Sequence, residues 1–324
     1  MGEDGRRRSG EDLISGLPDE LLHGILVRLR CARAASRTSV LSRRWRRVWT
    51  HLPELHLDDP ASSPDTVDGA LAGYLAPDLW RLSISPAADL DYRVLAWRAA
   101  PWLRFAAERV VGELRLRYVS SRPRRLNPEA DLELPACGRA QAITLFLGVE
   151  WRLRPRPGGL FSALAALTIR GARIEGGELS NLVCTQCPHL SYLDLFVSLV
   201  GASNVTIRSD SLRALRFGIL NSHGQAQQLE LVGPRLEKLI LSDSIQAHIS
   251  APKLAELVCR CRSSFCDLHN YQFVDIGRRL RLLEVEVDLM LASLMQRFDE
   301  VDVLKLEVLT PLVCWQLTNF LRRN

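Results

Sequence analysis

Between residues 52 and 306 the hydrophobic pattern repeats one phrase: an aliphatic residue, two variable ones, a second aliphatic, one variable, a third aliphatic. It runs LPELHL from Leu52, LWRLSI from Leu79, VGELRL from Val111 and AQAITLFL in a phase that starts at Ala142. It continues as LAALTI from Leu164, LSYLDL from Leu190, LRALRF from Leu212, LEKLIL from Leu236, LAELVC from Leu254, LRLLEV from Leu280 and VDVLKL from Val301. Side chains alternate across a strand, so the fourth and sixth positions of each phrase point inward and the fifth points out. One such unit cannot bury its own apolar face, and the units must therefore stack on one another.

Successive starts lie 27, 32, 31, 22, 26, 22, 24, 18, 26 and 21 residues apart. From Ala142 on, most steps fall in the range of about 20 to 29 residues that marks leucine-rich repeats. A second strand-like phrase precedes several repeats, as in NVTIRSDSLRALRF, QQLELVGPRLEKLIL and AHISAPKLAELVC. Its Ile207, Leu231 and Ile249 keep step with Leu215, Leu239 and Leu257. The ninth position, which regular repeats fill with Asn or Cys, holds Ala172, Ser198, Leu220, Ser244 and Arg262, so the stack is expected to be irregular. SSRPRRLNPEADLELP (120–135) and WRLRPRPGG (151–159) read as loops that interrupt it, and DDPASSPDTVDG (58–69) as a linker or long loop.

Residues 13–50 have a different period. Pro18 suits a first helical position, Asp19 and Glu20 suit the positive end of a helix, and Leu17, Leu21, Leu22, Ile25, Leu26 and Leu29 recur at three- and four-residue spacing. A second short helix is predicted over roughly 34–39. A third is predicted over LSRRWRRVW, with Leu41, Trp45, Val48 and Trp49 on one side. Residues 1–12, charged and Gly-rich, read as a disordered tail.

Composition bounds the class of protein. The 324 residues are 47% hydrophobic, enough for a sizeable core. No run of 18 uncharged apolar residues and no apolar leader are present, so a soluble, unsecreted chain of the cytoplasm and/or nucleus is expected, without a membrane partner. Eight cysteines in such a chain predict reduced thiols. The net charge of +5 rests on 39 Arg and 3 Lys spread along the whole length, with no basic helix or stacking motif, so nucleic acid is not an expected partner. Cys184 and Cys187 stand at a zinc-like spacing and Cys259, Cys261 and Cys266 follow, but Cys187 leads into a repeat strand and Cys259 takes an inward position, so structural roles and no metal are expected. The seven His, the acids and the glycines form no catalytic or phosphate-binding motif, and neither an enzyme activity nor a cofactor is expected of the chain.

At the N-terminus, LPDELLHGILVRLRCARAASRTSVLSRRWRRVW resembles an F-box: Leu17-Pro18, a Leu/Ile-rich first helix from Leu21 to Leu29, and Leu41-Ser42-Arg43-Arg44-Trp45. NVTIRSDSLRAL and HISAPKLAEL are similar to the plant F-box proteins that carry degenerate leucine-rich repeats. The resemblance implies an α/β fold, an N-terminal three-helix F-box (13–50), then a first strand and linker (51–70), then an irregular leucine-rich-repeat solenoid (71–324). It further implies docking on a Skp-type adaptor, and through it a cullin, by Leu17, Pro18, Leu21, Leu22, Ile25, Leu26, Leu29, Leu41, Ser42 and Trp45. The repeats would then present an unidentified protein substrate for ubiquitination and degradation, the transfer being done by partners. The alternative is a scaffold in which these helices only cap the solenoid.

If the repeats bind a target, outward strand positions are the candidates: Arg115, Arg117, Phe146, Arg170, Tyr192, Asp194, Phe196, Arg216, Lys238 and Arg260, then Glu284, Glu286 and Glu307. The order predicts a face that is basic early and acidic late. VDVLKLEVL reads as an inward-facing strand that calls for another element beyond it.

Overall fold

A computed structural model describes residues 14, 16–58, 63–86, 92–118, 130–201, 204–220, 228–242, 246–260, 271–285, 294, 296–298 and 300–306. The tail expected over 1–12, Glu286, Glu307, Cys261 and Cys266 lie outside these residues. The fold is mixed α/β around a parallel sheet. Three short helices come first: α1 (Asp19–Arg28), α2 (Ala32–Arg37) and α3 (Trp45–Val48), with 3-10 turns at Thr38–Val40 and Trp49–His51. Then follow β1 (Glu54–Leu57), α4 (Pro64–Ala72), β2 (Leu79–Ile84), α5 (Tyr92–Arg109) and β3 (Val110–Arg117). The middle of the chain holds β4 (Ala130–Leu134), β5 (Ala142–Phe146), β6 (Trp151–Pro155), β7 (Ala166–Glu175), α6 (Gly176–Asn181) and β8 (Tyr192–Val200). The later strands are β9 (Asn204–Arg208), β10 (Ala214–Ile219), β11 (Gln228–Val232), β12 (Lys238–Ser242), β13 (Gln246–Ala251), β14 (Glu256–Arg260), β15 (Tyr271–Ile276), β16 (Arg279–Val285) and β17 (Glu300–Leu306).

The eleven sequence phrases are eleven strands of one sheet, in the order β1-β2-β3-β5-β7-β8-β10-β12-β14-β16-β17. Their fourth positions are Cα partners without a break: Leu55, Leu82, Leu114, Ile143, Leu167, Leu193, Leu215, Leu239, Leu257, Leu283 and Leu304. All but Leu304 are buried. The ladder corrects one phase: Ile143, not Leu145, pairs with Leu114, and Ala140 is buried at the first position, so that phrase starts at Ala140. The corrected steps on either side are 29 and 24 residues.

Behind the sheet lies a second layer made of whatever each connection holds. α4 and α5 back the first strands. β4 pairs with β6, and β6 reaches the far half of β7 at Arg152 and Arg173. The separate sheet β9-β11-β13-β15 keeps Ile207, Leu231, Ile249 and Phe273 in register. The core fills the space between the layers, from Leu55 and Trp102 to Val285 and Phe298.

Three connections differ from the sequence reading. The linker expected over 58–69 contains the start of α4, whose first turn is capped by Ser63 Oγ accepting from the Thr66 amide at 3.3 Å, with Pro64 just inside it. The loops expected over 120–135 and 151–159 contain β4 and β6, strands whose Leu132, Leu134, Trp151 and Leu153 are buried. The second helix lies at Ala32–Arg37, two residues earlier than expected, with Cys31 Sγ accepting from the Ala34 amide at 3.4 Å. Among the described residues no helix is long and apolar enough to cross a membrane.

Candidate functional site

α1 begins where Pro18, extended at φ −59° and ψ 153°, stops a helix from running further back, and Asp19 and Glu20 occupy its first turn. Pro18 is thus the cap, one position before the first helical residue. Asp19 accepts from Arg44 Nε at 2.9 Å, and Arg44 also donates to the Leu17 carbonyl, which ties the start of α1 to the start of α3. His23 Nε2 lies 3.1 Å from the Val48 carbonyl and makes a second tie.

Leu22, Leu26, Ala35, Trp45, Val48 and Leu52 form a small core of their own, separate from the main one, with Leu17, Val27 and Trp49 packed against it. Burial corrects three expected contact residues: Leu22, Leu26 and Trp45 are 0%, 2% and 4% exposed and hold the helices together, with no surface left for a partner. The neighbouring stripe is the reverse. Leu21 and Ile25 on α1 and Leu29 at its C-cap, at four-residue spacing, are 55%, 42% and 45% exposed, and Val40 and Leu41 on the turn before α3 are 84% and 65% exposed. Leu41 was expected beside Trp45 and Val48. It instead ends the 3-10 turn ahead of α3 and is off the helical face. Pro18 is exposed and Ser42 half-buried. Val40 was not foreseen, although a Val-Leu pair in the polar turn TSVLSRR is a readable signal. One small unit thus exposes five large aliphatics, three of them in a stripe along α1, and exposed apolar stripes are of the kind that marks an interaction site.

The open face of the sheet carries the second set of candidates. Arg115, Arg117, Phe146, Arg170 and Asp194 line a groove of about 530 Å³, together with Asp58, Ser83, Thr144 and Thr168, which the sequence reading did not single out. Arg170 sits 5.7 Å over the Phe146 ring, and its Nη2 lies 2.5 Å from Asp194 Oδ2. Asp194 is buried, so it acts on a ligand only through the groove. Arg115 is bonded to Glu113. Burial and then the Asp194 charge raise the Tyr192 hydroxyl above its ordinary pKa.

Tyr192, Phe196, Arg216, Lys238, Arg260 and Glu284 stand on the same face outside the groove. The expected run from basic to acidic is locally cancelled, since Lys238 pairs with Glu256 at 2.8 Å and Arg260 with Glu284 at 3.0 Å.

Cys184 and Cys187 are taken up by packing. The Cys184 thiol donates to the Thr206 carbonyl at 3.4 Å and accepts from the Arg208 amide at 3.2 Å. Cys187 and Cys259 are buried, which pushes both thiols up to about 12 and away from the thiolate a metal needs. Among the described residues no group of His, Cys, Asp and Glu is arranged to hold a metal.

A family model described as FBD-associated F-box protein At5g56370, LRR repeats, matches residues 99–264, from within α5 to just past β14. Several Arabidopsis thaliana proteins are similar, among them three that follow. F-box protein At5g03100 is 27% identical over 238 residues, 74% of this chain and 72% of that protein. F-box/LRR-repeat protein 25 is 29% identical over 258 residues, 74% of this chain and 89% of that protein. F-box/LRR-repeat protein At5g02910 is 44% identical over 70 residues, 22% of this chain and 15% of that protein. No solved structure matches the chain. The unbroken leucine ladder and the family match, which covers just over half of the chain, lead to one assignment: the chain belongs to the plant F-box proteins with leucine-rich repeats.

Proposed function

We propose that this chain is the substrate-receptor subunit of a Skp-cullin-F-box ubiquitin ligase of the cytoplasm and/or nucleus. α1 to α3 are its F-box and dock on a Skp-type adaptor, which joins it to a cullin. The stacked strands form an irregular solenoid that binds a protein target for ubiquitination and proteasomal degradation. The chain itself is not catalytic, and the partners carry out the transfer.

The observation that carries this reading is the aliphatic stripe Leu21, Ile25 and Leu29, with Val40 and Leu41 exposed on the turn before α3, all left solvated on a unit whose own core is already filled by Leu22, Leu26 and Trp45. Covering a large aliphatic side chain completely is worth about 1.5–3 kcal/mol, so five of them form a strong interface when a partner closes over them. The names of the relatives support the same reading.

The alternative, a cap on the stack, has support in Ala32, which belongs to the main core and ties α2 to the first strands. Capping leaves the stripe on α1 uncovered, and docking explains it. Pull-down of a purified Skp-type adaptor by the full chain tests this. Ile25→Ala with Leu41→Ala should weaken capture at least a hundredfold without changing the melting temperature; capture at the original strength would reject the docking face.

A further inference from the structure

The groove on the open face is built from two cross-strand rows. In one, Arg115, Thr144, Thr168 and Asp194 are successive Cα partners. In the other, Arg117, Phe146, Arg170 and Phe196 alternate cation and ring, and Phe196 is partnered by Gly218. A Cβ on Gly218 would come within 2.6 Å of the Phe196 ring, so the ring lies across the next strand only because that position is glycine.

Length decides what kind of molecule fits. From Asp58 at the end of β1 to Asp194 on β8 the groove crosses five inter-strand steps, about 24 Å at about 4.8 Å each. Its 530 Å³ is spread along that length as a trough. A compact metabolite would touch only a part of it, whereas about seven residues of extended chain follow it from end to end.

Charge decides the composition. Arg170 and Asp194 neutralise each other's charge, Arg115 is bonded to Glu113, and Arg117 is exposed with no ion pair or hydrogen bond among the described residues. On β3 the trough therefore presents a guanidinium with no bonded partner, the group best suited to a carboxylate, while Asp58 at the β1 end carries a carboxylate outside any ion pair among the described residues. An extended peptide with acidic side chains supplies a carboxylate for Arg117 and matches the length of the trough.

We propose that the trough holds an extended acidic segment of a protein target, with a side-chain carboxylate on Arg117. The inference rests on the target-receptor reading and names the kind of sequence that such a receptor takes.

Fluorescence anisotropy of the full chain with fluorescein-labelled (Glu-Gly)4, (Lys-Gly)4 and oligo(dT)12 tests it. (Glu-Gly)4 should bind at least tenfold tighter than either of the others. Arg117→Ala should weaken it at least tenfold, and Arg117→Glu should reverse the preference toward (Lys-Gly)4. Arg117 is solvent-exposed, so both variants should melt with the parent. Absent binding of (Glu-Gly)4, an unchanged affinity in Arg117→Ala, or a tighter complex with oligo(dT)12 would each overturn the proposal, the last by making the Arg-Phe row a nucleic-acid surface. Adaptor capture is measured on the same preparations. Loss of peptide binding alone rejects the trough, and loss of adaptor capture alone rejects the ligase reading.

Discussion

Gly171 shows how much one residue can decide. The strand bends there: β7 pairs with β5 up to Arg170, its register with β8 shifts between Arg170 and Arg173, and past the shift it stays paired with β8 as far as Glu175 while Arg173 meets Arg152 of β6. The corner is taken at φ +90°, and a Cβ at this position would stand 1.8 Å from the Leu147 carbonyl oxygen. That carbonyl is backbone and cannot swing away. Gly171→Ala should therefore cost at least about 2 kcal/mol in urea unfolding, from the disfavoured dihedral and the clash together. A variant as stable as the parent would show that the corner is made elsewhere. The sequence carried the signal, an isolated glycine inside the strand pattern TIRGARIE, which often marks a bulge. Its partner in the clash is distant in sequence, and no local pattern names it.

At the scale of the element, α1 separates two roles that its sequence presents as one. The spacing of Leu21, Leu22, Ile25, Leu26 and Leu29 makes a broad apolar stripe, and only packing against Trp45 and Val48 divides it into a buried and a solvated half. Leu26→Ala should lose about 2–5 kcal/mol of stability by opening a cavity, while Ile25→Ala should stay within about 0.5 kcal/mol. Chemical denaturation followed by tryptophan fluorescence checks both, and equal losses would contradict the division.

The strands of the main sheet were legible because an alternation of period two writes itself directly into the chain, and register then followed from counting. The second layer was not. α4 starts in a polar run whose cap, Ser63-Pro64, was masked by the Pro, Ser and Asp around it. β4 and β6 are five-residue strands among Arg and Pro, too short for a period to stand out. In the candidate sites, residue type pointed to Arg117 and Phe146, whereas the burial of Asp194 and the exposure of Leu41 depend on neighbours far along the chain.

Across the whole molecule, burial sets a limit on alkaline stability. Cys137, Cys187 and Cys259 have thiols raised from 9.0 to about 12 by burial, and Tyr74, whose hydroxyl donates to the Leu52 carbonyl at 2.8 Å, is raised from 10.0 to about 12. Once unfolded, these groups release protons from about pH 9 upward, while the folded chain holds them to about 12. The unfolded state then binds fewer protons, so stability is full below about pH 9 and falls as pH rises toward 12. Melting temperatures measured from pH 8 to 11 should decline steadily above 9, and a flat profile would mean that these groups reach water.

The mixed backing of the sheet has a mechanical consequence. Strands repeat every 4.8 Å or so, whereas a helix with its side chains is about 10 Å across. Where α4 and α5 back the first strands, the rear layer needs more room per turn than the front, which favours a bend toward the open face. Where β9, β11, β13 and β15 back it, both layers keep the same pitch and nothing forces a bend. The Arg-lined trough begins at the helix-backed end and runs on to strands backed by β4 and β6.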